Sequence, residues 1–148
     1  SGLMMWWNIL DKGGYPSVWA NAPMDTITDS WGMLNRECVS YVAFKIANSG
    51  RNMPNYWPSY YYRYGPGHGG NARDWLGDAE VDGIPYDRNP RPGDAGVLAS
   101  GTYGHVVYVE RVLDDGRIYI SHYNYDWRGN YTESIINPSN GNWYFIHF

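Results

Sequence analysis

A single cysteine, Cys38, stands in a chain of 148 residues that also holds four histidines, His68, His105, His122 and His147. A cysteine attacks a carbonyl carbon when a base takes its proton and hands it on to the leaving group, so a thiol with a histidine partner is the minimal set for acyl transfer. Apolar residues Val39, Val42, Ala43, Ile46 and Ala47 recur at helical spacing, which predicts an amphipathic helix over residues 35–47. With Asn35 as N-cap, Cys38 falls at the third helical position, where backbone N–H groups lack intrahelical partners. The helix dipole there favours an anion, so the thiol pKa is expected to be lowered, with Arg36 helping and Glu37 opposing. The Cys38 N–H is also placed to help hold an oxyanion. Taken alone, a lone cysteine is more often a buried structural thiol.

Among the histidines, His105 opens the segment Gly104-His105-Val106-Val107-Tyr108-Val109, where a strand end projects its ring into a cleft. A hairpin over 105–113 and 117–124, joined at Asp114-Asp115-Gly116, is predicted by the alternation and the turn residues. If the two-residue loop is Asp114-Asp115, His105 pairs with Asn124; if it is Asp115-Gly116, Asn124 pairs with Val107. Either register puts His105, His122 and Asn124 on one sheet face, and a three-residue loop without a compensating bulge breaks this. Asn124 is the expected orienting partner of the His105 ring, fixing its tautomer. His122 fills that role only as a neutral imidazole with a free ring nitrogen. His68 lies in a glycine-rich loop, and His147 reads as a satisfied strand histidine.

These residues need elements to position them. Residues 1–30 read as an irregular N-terminal arm packed on a single domain, and residues 31–148 as its catalytic body. Residues 53–70, crowded with Tyr, Pro and Gly, read as a long surface loop; the aromatic run 56–64 within it is expected to pack rather than to form a platform for sugar rings. A short helix over 71–79, a turn at Pro90-Arg91-Pro92-Gly93-Asp94, a strand over 95–99 and a last strand over 143–148 complete the reading. Helices first and an antiparallel sheet later give an α+β domain.

Composition excludes several classes. Eleven basic against fifteen acidic side chains give a net charge of -4, so no general attraction to nucleic acid or anionic lipid is expected. One cysteine rules out an internal disulfide. No apolar run reaches the length of a membrane span and no leader pattern opens the chain, so it reads as a mature-type fragment, with Ser1-Gly2 as a cloning remnant and room for a signal peptide or further modules outside it. No zinc spacing, EF-hand loop or nucleotide signature is present, and no cofactor or metal is expected.

Four segments in this order resemble the CHAP family, the cysteine, histidine-dependent amidohydrolases/peptidases: Arg36-Glu37-Cys38-Val39-Ser40-Tyr41-Val42-Ala43, Gly70-Asn71-Ala72-Arg73-Asp74-Trp75, Pro92-Gly93-Asp94-Ala95 and Gly104-His105-Val106-Val107-Tyr108-Val109-Glu110. The resemblance covers the chain from about Trp31 onward. It implies a papain-like fold and cleavage of amide bonds in bacterial peptidoglycan, as in exported autolysins, cell-separation enzymes and phage endolysins, with Cys38 as nucleophile and His105 as base. Many members carry a Glu-x-Asn pair where this chain reads His122-Tyr123-Asn124, so the acidic position holds histidine and the third role rests on Asn124. The implied partners are peptidoglycan and other wall-binding modules, and the implied location is secreted and wall-associated. Two other readings fit the same residues: a catalytically silent wall-binding module, and a cysteine amidase acting on a non-wall amide.

Overall fold

The computed structural model describes residues 11–148. The reading of the N-terminal arm falls partly on residues 1–10, outside the described residues; from Lys12 the arm carries a 3-10 turn, Lys12–Gly14, and a short helix α1, Ser17–Ala20. Tyr15 and Trp19 from this segment pack into the main core.

The central helix α2 spans Cys38–Asn48 and buries Val39, Tyr41, Val42, Ala43 and Ile46. Val39, Val42, Ala43 and Ile46 form one stripe at helical spacing, while Tyr41 leaves the other side of the helix and packs against Tyr15, Tyr123 and Tyr131; burying each large aliphatic contributes roughly 1.5–3 kcal/mol. The helix stops in a Schellman arrangement: Arg51 N–H donates to Ile46 O and Gly50 N–H to Ala47 O, with Gly50 at φ 87. Short helices α3 (Tyr60–Tyr64) and α4 (Trp75–Asp82) follow, each led in by a 3-10 turn, Trp57–Ser59 and Ala72–Asp74. The segment read as a surface loop over 53–70 is therefore partly helical, and it packs because Trp57 and Tyr60 turn inward while Tyr62 stays exposed.

Among the described residues, six strands make one antiparallel sheet in the order β1-β6-β2-β3-β4-β5, with β1 Tyr86–Asp87, β2 Ala95–Leu98, β3 His105–Val112, β4 Ile118–Tyr123, β5 Tyr131–Ile136 and β6 Trp143–Ile146. The architecture is α+β. One face, carrying Ala95, Val97, Val106, Tyr108, Tyr123 and Ile146, joins the core under α2 and α4. The other face collects Val107, Val109, Ile118, Ile120, Trp143 and Phe145 in a second cluster. This split follows from the two-residue repeat of a strand.

The β3–β4 connection is a three-residue loop, since Leu113 N–H donates to Arg117 O across residues 114–116. A bulge between Val109 and Arg111 compensates, leaving Tyr108 opposite Ser121. The extra bulge residue restores parity toward the start of β3, and His105 and His122 share a face as the sequence reading required.

Candidate functional site

Cys38 is the first residue of α2, and Glu37, with extended φ/ψ of -81° and 154°, is the N-cap. This corrects the sequence reading, in which Asn35 capped the helix and Cys38 stood third. Asn35 is fully buried and spent otherwise: its Oδ1 accepts the N–H groups of Thr26 and Ile27 at 2.9 Å each, and its Nδ2 donates to Trp19 O and Pro23 O. It staples the preceding loop.

The expected lowering of the thiol is also corrected. Burial pushes Cys38 up to about 12, and the adjacent Glu37 carboxylate adds to this; hydrogen bonds offered by the backbone of Val106, Val39 and Cys38 itself act in the opposite direction without prevailing. Partial charges at a helix N-terminus are worth at most about 2 kcal/mol, less than the desolvation of a thiolate. In the resting site the sulfur is a neutral thiol.

Gly104 sets the entry to β3. It has φ +70, and a Cβ there would lie 2.9 Å from both Arg73 N and Leu98 O, so only glycine lets the chain turn there against the Ala72–Asp74 segment. His105 then begins the strand. Its Nε2 lies 2.8 Å from Nδ1 of His122, which leaves Nδ1 as the His105 nitrogen available to a thiol. Burial, and second the neighbouring His122, lower His105 to about 3; burial lowers His122 to about 4. At neutral pH the pair is uncharged and shares one N–H···N bond. Tyr125 lies against both rings, with centroids 5.5 Å from His105 and 5.3 Å from His122.

Cys38, His105 and Asn124 line one cleft of about 470 Å³ together with Asp25, Glu37, Tyr103, Tyr125 and Trp127. His105 also borders a second cavity of about 680 Å³ on the open sheet face, walled by His122, Ile120, Ile136 and Trp143. The two spaces meet at Leu98, Ser100, His105 and Tyr125.

Asn124 is placed differently from the sequence reading. Just past β4 its backbone takes φ 61, and its side chain turns to the Cys38 side of the cleft: Nδ2 donates to Glu37 Oε1 at 2.9 Å while Oδ1 accepts the Gly129 N–H at 2.8 Å. The ring of His105 is met by His122 instead. Glu37 is raised to about 7 by burial and then by Asp25.

The other histidines stand apart. His147 has both ring nitrogens at 2.9 Å from carboxylates, Asp94 on one side and Asp87 on the other. His68 packs beside Tyr64. The aromatic run 56–64 supplies no wall of the cleft, whose aromatic rim is Tyr103, Tyr125 and Trp127. Sequence reasoning missed this rim, although Tyr125 and Trp127 lie within three residues of Asn124. Among the described residues, no group of three or more His, Cys, Asp or Glu side chains is arranged to hold a metal, and no helix is long and apolar enough to cross a membrane.

The model of the CHAP domain family matches residues 28–124. This chain belongs to the CHAP domain family. The matched span runs from the loop ahead of the Cys38 helix to Asn124, and so takes in both histidines of the pair. Curated relatives include "Probable autolysin SsaALP" of Staphylococcus aureus, 35% identical over 91 residues, covering 62% of this chain and 30% of that protein. Another is the N-acetylmuramoyl-L-alanine amidase sle1 of Staphylococcus aureus, 33% identical over 96 residues, covering 65% of this chain and 24% of that protein. The chain thus spans under a third of the length of these relatives. A crystal structure of an N-acetylmuramoyl-L-alanine amidase from Staphylococcus aureus superposes with a TM-score of 0.63 at 24% identity, covering 76% of this chain and 30% of that one. The fold is the papain-like α+β fold of CHAP domains.

Proposed function

We propose that this CHAP domain hydrolyses an amide bond of bacterial peptidoglycan, with Cys38 as nucleophile, His105 as general base and acid, and His122 as the residue that orients His105. The observation that carries the reading is the common cleft: Cys38 at the head of α2 lines the same cleft as His105, whose far nitrogen lies 2.8 Å from His122.

The chemistry starts from neutral groups. As Sγ of Cys38 attacks the carbonyl carbon, Nδ1 of His105 takes the thiol proton, and His105 Nε2–H donates to His122 Nδ1, which stabilises the imidazolium without a carboxylate. The tetrahedral oxyanion is met by backbone N–H groups in the first turn of α2, which in the resting site point at the Cys38 sulfur. Collapse breaks the C–N bond; the amine leaves with the proton from His105, and a thioester remains on Cys38. Water, deprotonated by His105, attacks the thioester and releases the acid, and the proton returns to sulfur.

The names of the staphylococcal relatives support the wall as substrate and secretion to the wall as the setting. Either the N-acetylmuramoyl-L-alanine amide or a peptide bond of the stem or cross-bridge fits this chemistry. Mass spectrometry of acid-quenched protein after mixing with muropeptides tests the mechanism: a thioester adduct on Cys38 supports it, and turnover without one refutes it. The raised thiol favours one other reading, a catalytically silent wall-binding module, which predicts equal wall binding by parent and Cys38→Ala with no fragments released by either.

A further inference from the structure

The geometry points to Arg36 as a positioning residue that grips the β4–β5 loop, residues 124–130, and so holds Cys38 and the histidine pair in one frame. The inference rests on Cys38 and His105 being the reacting groups, and it concerns what aligns them.

Arg36 stands two positions ahead of the nucleophile. Its guanidinium makes three hydrogen bonds, all to backbone carbonyls: Nε to Gly129 O at 3.0 Å, Nη1 to Ala22 O at 3.1 Å and Nη2 to Arg128 O at 3.2 Å. A planar fork with donors in fixed directions suits such a grip, and an ammonium on a flexible stem does not reproduce it. The Arg36 backbone N–H is fixed as well, on Tyr15 Oη at 3.0 Å.

The next residue takes hold of the same loop, because Glu37 Oε1 accepts from Asn124 Nδ2 at 2.9 Å. Both residues that lead into Cys38 are thereby tied to residues 124–130. The same loop reaches the base through Tyr125, whose ring lies on His105 and His122. One short segment therefore touches the nucleophile's turn at one point and the histidine pair at another.

Backbone strain is concentrated along this contact. Arg36 and Trp127 have φ of 66° and 62°, values that such side chains hold only where surrounding bonds overdetermine them; Asn124, at 61°, is of a type that tolerates this region. Gly129 has φ +68, and a Cβ on it would lie 2.7 Å from Met24 Sδ and 3.1 Å from Arg36 Nε. The grip therefore has a second handle, since a methyl at position 129 pushes on the guanidinium from the loop side.

The test uses Arg36→Ala, Arg36→Lys and Gly129→Ala, each compared with the parent for kcat, KM, the pH profile of Cys38 alkylation and Tm. A nucleophile displaced by about 1 Å costs roughly 100-fold in rate, so Arg36→Ala and Gly129→Ala are expected to lower kcat by about that factor, with KM changed less than about threefold. Both should change the alkylation profile, because the thiol moves relative to the Val106 backbone. Arg36→Lys is expected to fall between, and it keeps the test open should Arg36→Ala not fold. Lowered Tm with parental kcat and a parental alkylation profile, in whichever variants fold, would overturn the inference and leave Arg36 a structural staple. Failure of the functional reading shows separately, as full turnover by Cys38→Ala.

Discussion

Replacing His122 by glutamate changes one charge at the point where the site is most constrained. The His122 ring meets Nε2 of His105 at 2.8 Å, and it contributes to holding His105 down near 3. A carboxylate within about 4 Å of the imidazolium is worth roughly 4 kcal/mol at an effective dielectric constant of 20. Desolvation of the new carboxylate offsets part of this, leaving a rise of about 1–3 units in His105, or roughly 1.4–4 kcal/mol in favour of the imidazolium. Through the thiol–imidazole couple the same energy favours the thiolate, so iodoacetamide should alkylate Cys38 at pH 6 at least about tenfold faster than in the parent. His122→Gln is the control: its carbonyl still accepts the His105 Nε2–H but brings no charge, and its profile should stay within about one unit of the parent's. Superimposable alkylation profiles for parent and His122→Glu would refute the coupling and with it the assignment of His122 as the orienting residue.

Three further expectations follow from the geometry. Asn124→Ala should lower kcat while leaving the acid limb of the pH profile in place, whereas His122→Ala should move that limb, because of these two residues it is His122 that meets the His105 ring, while Asn124 bonds Glu37; pH–rate curves of both variants check this. Asp78 is fully buried, is raised to about 8 by desolvation, and has Oδ2 without a partner among the described residues. Its folded pKa lies above the unfolded value, so its stabilising contribution is complete below about pH 4 and is lost as pH rises toward 8; Asp78→Asn should flatten the fall of Tm across that window, by roughly 10 °C or more. Gly104→Ala should lose about 1–3 kcal/mol in denaturant unfolding and also reduce kcat, because the added Cβ meets the backbone of Arg73 and Leu98 directly ahead of His105.

Periodic elements were legible in the sequence and chain ends were not. The helix through Val42 and Ile46 and the strands β3 and β4 carry long, regular patterns, so their existence and their buried faces follow from spacing alone. Parity placed His105 and His122 on one face, and it survived a three-residue loop only because the bulge between Val109 and Arg111 restored it. The same parity failed at Asn124, where the chain has left the strand at φ 61 and alternation no longer governs the side chain. Strand β5 went unread because Tyr131-Thr132-Glu133-Ser134-Ile135-Ile136 is a half-buried edge whose polar and apolar residues do not alternate cleanly. The helix start moved by two residues because Asn35 found four backbone partners in the preceding loop, a tertiary outcome that local capping preference does not report. The thiol was misjudged for a similar reason: the helix dipole is visible in sequence, whereas burial of the sulfur is not.

The central claim is that Cys38 cuts an amide of the bacterial wall. Its most direct test is digestion of purified peptidoglycan by parent and Cys38→Ala protein, with mass spectrometry of the soluble fragments. The account predicts fragments with one newly freed amine and one newly freed carboxyl group from the parent, and release at least about 1,000-fold slower from Cys38→Ala. Equal release of the same fragments by the two proteins would contradict it.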